Sequence, residues 1–350
     1  MKTLIKNARQ KKGLMLRELA QSLGIDQALV SKFESGTRKP TEDQLVKIGQ
    51  ILDIDLKELK VQWLKEKILY QLEDEEFAIE ALMIAEQELK TRAKSLAPIK
   101  IPKSIKPIIH SIDKLQKELN NLRQFDSYRI AQALELEYTF ESNRIEGNTL
   151  TLKETDLVIN EGLTISGKSM REHLEAINHK DAIVYMKQLA EKNALILSND
   201  VLGIHQLVLR GIDEANAGKY RGVQVLIKGS RHTPPPPYLV AKQMEGYFLW
   251  YQSNRKQLHP VVLAAEMHER LVTIHPFIDG NGRTSRLIMN LILLQSGLVI
   301  ANIKGDDKSR MAYYNALEEA QVTGNKEAFM ILVANYELVA LERYLKILGG

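Results

Sequence analysis

The chain has 350 residues, 44% hydrophobic and 26% charged, with 20 Gly and 10 Pro, which excludes a disordered, low-complexity or collagen-like protein and allows two or three domains. Cysteine is absent, so disulfide frameworks, Cys-ligated zinc, iron–sulfur clusters and a Cys nucleophile are excluded. The whole +4 net charge sits in residues 1–60, with twelve Lys+Arg against eight Asp+Glu, while the remainder balances; a basic module on a neutral body points to nucleic acid at one end.

Residues 1–60 predict five short helices. The first runs Leu4–Lys12 and is closed by Gly13. Leu16, Leu19, Ala20 and Leu23 then mark one face of a second, which Gly24 ends. Asp26 caps a third that points Leu29, Val30 and Phe33 inward. Thr41 and Gln44 form a capping box for the fourth, and Ile51–Leu59 makes the fifth. Two helices joined by a Gly turn fit a helix-turn-helix. The spacing through Glu34, Gly36 and Pro40 resembles the lambda-repressor-like family of DNA-binding domains. That resemblance implies a third helix in the major groove, with Gln27, Ala28, Ser31 and Lys32 toward base edges and phosphates, and Arg38 and Lys39 on the backbone. It also implies a homodimer on a palindromic site. Met15 departs from the family at the second N-cap, where Ser or Thr is usual; the missing side chain should cost about 1 kcal/mol.

Residues 61–106 form a predicted connector. Leu64, Ile68, Leu72, Phe77, Ile79, Leu82, Ile84 and Leu89 mark one or two amphipathic helices, and Pro98, Pro102 and Pro107 mark a boundary. Packing on the main domain is the first expectation, a helical dimerisation arm the second.

From 107 to 350 helical periodicity dominates. The exception is 222–240, where VQVLI, a Gly-Ser turn and Pro234–Pro237 predict a short β-hairpin. The strongest motif is HPFIDGNGRTSR, His275 to Arg286, between two apolar helical runs. It is a loop feeding a helix N-terminus. Gly280, Asn281 and Gly282 let backbone amides converge, the helix dipole adds positive potential, and Arg283 and Arg286 lie one turn apart: a polyphosphate cradle. Asp279, the only carboxylate in the loop, suits Mg²⁺ shared with phosphate oxygens. His275 is the one group there that ordinarily titrates near neutral pH and suits a general base. His268, Glu266 and Glu269 on the preceding helix read as packing and solvated charge rather than a metal cluster.

This loop resembles the signature of the Fic (Fido-fold) family, and Gly218-Lys219-Tyr220-Arg221 and Tyr313-Tyr314 sit in family-like order. The resemblance covers about 107–335 and implies a mainly α fold with a β-hairpin flap. It implies a protein AMP transferase using ATP and Mg²⁺ on a Ser, Thr or Tyr hydroxyl of a protein. His275 is then the base and Asp279 the metal ligand; Gly280, Asn281, Gly282, Arg283, Thr284, Ser285 and Arg286 surround the phosphates. Ile227, Lys228, Gly229 and Ser230 form the flap; Tyr313, Tyr314 and Gln321 lie near adenosine. Upstream, Ser142-Asn143-Arg144-Ile145-Glu146-Gly147-Asn148 resembles the family's inhibitory helix, within about 138–150. Glu146 is then expected to pair with Arg286 and obstruct the γ-phosphate. Three rivals stand beside this reading: a DNA-binding regulator that senses nucleotide with little turnover, removal of AMP, and transfer of another nucleotide or phospho-group. With no apolar run of 18 residues and a basic amino terminus, a cytoplasmic protein is expected.

Overall fold

The computed structural model describes residues 1–72, 75–86, 99, 101–125 and 128–349. It divides into two compact units, Met1–Lys90 and Thr91–Gly350. Their boundary falls among residues 87–98, which lie outside the described set together with part of the predicted connector.

The first unit is built from α1 (Lys2–Lys11), α2 (Leu16–Leu23), α3 (Gln27–Ser35), α4 (Glu42–Leu52) and α5 (Leu56–Gln71). Gly24 and Gly36 end α2 and α3 at φ of 68° and 83°, where a side chain would be strained. The Asp26 carboxylate accepts the Ala28 N–H at 2.6 Å, and Thr41 and Gln44 exchange both bonds of the box. At Met15 the side chain caps nothing, but the Met15 N–H donates to Glu18 at 2.7 Å, so half of a capping box remains. The core is apolar: Ile5, Leu19, Val30, Phe33, Leu45 and Leu59 are fully enclosed.

The predicted fifth helix, Ile51–Leu59, does not form in that register. Asp53 at φ 53° ends α4, and Asp55 accepts the Lys57 N–H at 2.8 Å to start α5. The α5 helix runs on into the sequence predicted as connector. There Trp63 Nε1 donates to the Pro40 carbonyl, and Glu66 receives the amino terminus at 2.8 Å. A further helical segment covers 78–86.

The second unit holds α6 (Lys106–Leu122), α7 (Tyr128–Ile145), α8 (Leu152–Asn160), α9 (Met170–Lys192), α10 (Ser198–Leu209), α11 (Pro237–Asn254), α12 (Pro260–Ile274), α13 (Asn281–Gln295), α14 (Asp307–Thr323) and α15 (Glu327–Gly349). At its centre α12 and α13 pack on each other, buried along most of their lengths. Around this pair, α9 and α10 pack on α13, and α11 and α15 on α12. The loop between α12 and α13 is therefore held from both ends by the most enclosed part of the unit.

The expected β-hairpin is absent: among the described residues there is no strand. Residues 222–236 double back through a turn in which the Ser230 N–H meets the Ile227 carbonyl, with Gly229 at φ 78°. The return arm carries Pro234–Pro236, which have no N–H to offer a ladder. The arms are tied by side chains instead. The Arg221 guanidinium donates to the carbonyls of Val223 and Pro235, and the Gln224 amide to that of Pro234.

Candidate active site

His275 stands where α12 ends, at φ 50° and ψ 58°, a left-handed conformation rare outside glycine. The conformation is held from two sides: the His275 N–H donates to the Leu271 carbonyl at 2.8 Å, and Arg221 Nε donates to the His275 carbonyl at 2.8 Å. Its Nδ1 lies 3.3 Å from the Val272 carbonyl, which places the proton on Nδ1 and leaves the Nε2 lone pair free. Burial first, then the Arg221 and His232 charges, push its pKa down to about 4, so the ring is neutral at pH 7.

The loop that follows is braced internally. Asn281 Oδ1 accepts the Phe277 N–H at 3.0 Å and its Nδ2 donates to the Phe277 carbonyl at 2.9 Å. Phe277 stacks on His205, ring centroids 3.6 Å apart. The His205 ring accepts the Gly218 N–H at Nδ1 and donates from Nε2 to the Asp279 carbonyl at 3.0 Å. Burial chiefly pushes its pKa down to about 4, which keeps it in this neutral form. The N-cap of α13 is Gly280 (φ 77°), which has no side chain to cap the helix, and the Asn281 side chain is spent on the loop. Its first amides are left for an anion.

The charged groups converge on that helix end. Asp279 accepts the Gly280 N–H at 2.6 Å, contacts Arg283 at 3.3 Å and pairs with Arg171 at 2.6 Å. Burial alone would raise its pKa, but Arg283, the Gly280 amide and Arg171 hold it below the ordinary value. The buried Arg283 also contacts Glu175 at 3.3 Å. Asp279 offers one hard carboxylate, partly open to water, beside the uncapped helix end. That fits Mg²⁺ held jointly by a phosphate and by water. Among the described residues no group of three His, Asp or Glu could hold a metal without such help.

Arg286 is 1% exposed and fully engaged. It donates to the Ser142 hydroxyl and carbonyl at 3.1 and 2.8 Å, and to Glu146 at 2.7 Å. Burial opposes its charge, while Glu146 and Tyr313 raise its pKa. The helix end that carries Glu146 is fixed by Asn148, whose amide donates to Glu175 at 2.9 Å, and by Gly147 at φ 98°. A Cβ on Gly282 would collide with the Glu146 carboxylate. The carboxylate thus rests against the first turn of α13, where an anion is favoured.

The remaining expected residues divide. Ser285 bonds the Gly282 carbonyl and faces His268 Nε2, which also meets the Tyr313 hydroxyl at 3.0 Å. Thr284 and Tyr313 are buried, with Tyr313 packed behind Arg286, whereas Tyr314 is 40% exposed and donates to the Ile145 carbonyl. Gln321 is half-buried with an unpartnered amide nitrogen. Ile227, Lys228, Gly229 and Ser230, expected as a flap, form the turn between the two arms, anchored beside it by Arg231 to Glu318 at 3.1 Å. Glu266 and Glu269 are paired with Lys326 at 2.8 and 2.6 Å.

On the first unit Gln27, Ala28, Ser31, Lys32 and Arg38 are exposed, the first four on α3. Lys39 is turned away: its amine donates to the Glu66 carbonyl at 2.8 Å and lies over the Tyr70 ring.

Sequence reasoning missed Arg171, Glu175, His205 and the bracing role of Arg221. Each acts on residues far along the chain, so no local spacing signals it.

This arrangement matches known proteins. Residues 196–293 match the Fic/DOC family and residues 5–59 the helix-turn-helix family. A protein adenylyltransferase Fic of Nematostella vectensis is 38% identical over 211 residues, covering 60% of this chain and 48% of the relative. A protein adenylyltransferase fic-1 of Caenorhabditis elegans is 33% identical over 244 residues, covering 68% and 47%. The chain thus spans about half the length of the curated relatives it matches. A solved Fic family protein of Desulfovibrio desulfuricans superposes with a TM-score of 0.63 at 26% identity, covering 71% of this chain and 76% of that one. Fic-1 (residues 134–508) of C. elegans gives 0.62 at 24% identity, a likeness of fold, covering 99% and 97%.

Proposed function

We propose that the chain is a self-inhibited protein adenylyltransferase that moves AMP from ATP to a hydroxyl of a protein, and that its first unit binds DNA. The observation that carries the reading is the pairing of a neutral, strained His275 with an uncapped helix end and two buried arginines. The Fic/DOC match and the names of the relatives support it. In the reaction, His275 Nε2 takes the proton of the target hydroxyl as its oxygen attacks the α-phosphorus; the bond to pyrophosphate breaks. Arg283, Arg286 and the first amides of α13 hold the phosphate charge. Asp279 would hold Mg²⁺, which would supply further neutralisation of the phosphates. Ser142 and Glu146 occupy Arg286, and the Glu146 carboxylate sits where phosphate charge is otherwise favoured, which makes the resting chain nearly silent. No helix among the described residues is long and apolar enough to cross a membrane. The cytoplasm is our proposal for where the chain acts, because a unit that binds DNA must reach it.

The test is AMP incorporation from α-labelled ATP. Glu146→Gly should raise it at least tenfold, with Glu146→Asp between. Adding His275→Ala should silence it again. A folded Glu146→Gly protein that binds ATP and transfers nothing would favour the rival reading, a regulator that senses nucleotide without turnover.

A further inference from the structure

Asp279 is the one carboxylate in the loop, and both of its oxygens are already taken. One accepts the Gly280 N–H and faces Arg283; the other is held by Arg171 Nη2 at 2.6 Å. The two guanidiniums differ in kind. Arg283 is 2% exposed and fixed inside the unit, whereas the Arg171 side chain is 56% exposed and reaches across from the first turn of α9. Arg171 also has a second acceptor: its Nε lies 3.1 Å from Glu175, one turn further along α9. It can therefore release Asp279 without losing every charged partner.

We propose that Arg171 occupies the divalent-cation position on Asp279 in the resting chain and sets the metal level at which the site loads. This rests on the reading of Asp279 as the metal ligand. The physical argument is exclusion. A divalent ion on the outer oxygen of Asp279 would lie within a few ångströms of the guanidinium, and two cations at that distance repel. Loading the metal means swinging Arg171 back toward Glu175. An exposed ion pair gives way at modest cost, so the arginine is a displaceable placeholder rather than a permanent block. It neutralises Asp279 while no metal is present and competes with the metal when it arrives.

The experiment is calorimetric binding of ATP to the full chain across a Mg²⁺ series that starts well below saturation, and in EDTA. Arg171→Gln should tighten ATP binding roughly threefold to fivefold at subsaturating Mg²⁺, move the Mg²⁺ midpoint down by a similar factor, and leave binding unchanged or weaker in EDTA. Arg171→Lys keeps the charge but loses the fork and should fall between the two. Asp279→Asn should remove most of the Mg²⁺ dependence. If Arg171→Gln binds no tighter at subsaturating Mg²⁺ while Asp279→Asn loses the metal effect, the placeholder role is wrong and the metal reading survives. If Asp279→Asn responds to Mg²⁺ as the unaltered chain does, both fail. Thermal unfolding of each variant checks that the fold is intact.

Discussion

Met1–Lys90 and Thr91–Gly350 are both helical, yet they use their interiors differently. Among the described residues the first unit buries apolar side chains, from Ile5 to Leu59, and its Arg9–Glu34 pair is only partly enclosed. The second unit encloses Glu141, Glu175, Glu266, Glu269, Arg283, Arg286 and four histidines besides its apolar core. On the proposed reading, the first unit can keep its DNA contacts on a solvated face, because DNA is large and comes to the surface. The second would hold small anionic groups away from water, so its functional groups would also be its structural ones. Altering a site residue in the first should leave the fold alone; in the second it should disturb folding and function together.

Acid should separate the two most strongly. His205 and His275 are pushed down to about 4, and burial holds His179 and His268 well below their ordinary value. A histidine kept neutral in the folded state adds stability that is present above the unfolded value near 6.5 and is lost as pH falls toward the folded one. Between pH 6.5 and 5 this amounts to about 1.5 kcal/mol each for His205 and His275, and His179 and His268 act in the same direction. The buried Glu337, whose pKa is raised, works the other way and offsets part of it. All eight histidines lie beyond residue 90. The second unit should therefore lose stability between pH 7 and 5 while the first holds. The two tryptophans report the units separately: Trp250 in a Trp63→Phe variant follows the second, and Trp63 in a Trp250→Phe variant follows the first. Equal loss in both would erase the contrast.

The same division decides what the sequence discloses. In the first unit each signal is local: Gly24 and Gly36 accept positive φ, and Thr41 meets Gln44 three residues on. The error there, a helix across 51–59, came from an apolar pattern that continued through Asp53, whose left-handed backbone the pattern could not show. In the second unit the 275–286 loop is local, and its turn into a helix N-terminus is legible from its glycines and the flanking apolar runs. Glu146 and Arg286 lie 140 residues apart, and only the resemblance of Ser142–Asn148 to a known pattern linked them. Arg171, 108 residues from Asp279, had no such pattern, and neither did His205. The expected β-hairpin at 222–240 fails because VQVLI favours a strand while the partner arm of prolines cannot pair with it.

A surface change in the first unit sharpens the comparison at smaller scale. Lys32 is exposed on α3. Lys32→Glu should weaken binding to the chain's own promoter region about tenfold and flatten its salt dependence. The unfolding midpoint of the first unit should stay within about 0.5 kcal/mol of its original stability. A mobility-shift titration at two salt concentrations, with thermal unfolding alongside, reads both. A large fall in stability would mean that this face is structural, and the separation of surface from interior would not hold.

The smallest expected effect is a gain. Met15 starts α2 with extended backbone, φ −78° and ψ 158°, and its side chain is 60% exposed. The Glu18 carboxylate already accepts the Met15 N–H at 2.7 Å, while the Glu18 N–H has only the Met15 carbonyl at 3.1 Å. A serine hydroxyl at position 15 would supply the missing acceptor and complete the reciprocal box. Met15→Ser should therefore stabilise the first unit by about 0.5–1 kcal/mol. In a 90-residue unit that is a rise of several degrees in its unfolding midpoint. The second unit should not move, since no part of its core is touched. Adding Glu18→Ala should remove the gain along with the half-box already present, because the two bonds share one turn of helix. If Met15→Ser is neutral while Glu18→Ala still destabilises, the Glu18 carboxylate by itself already satisfies this helix end.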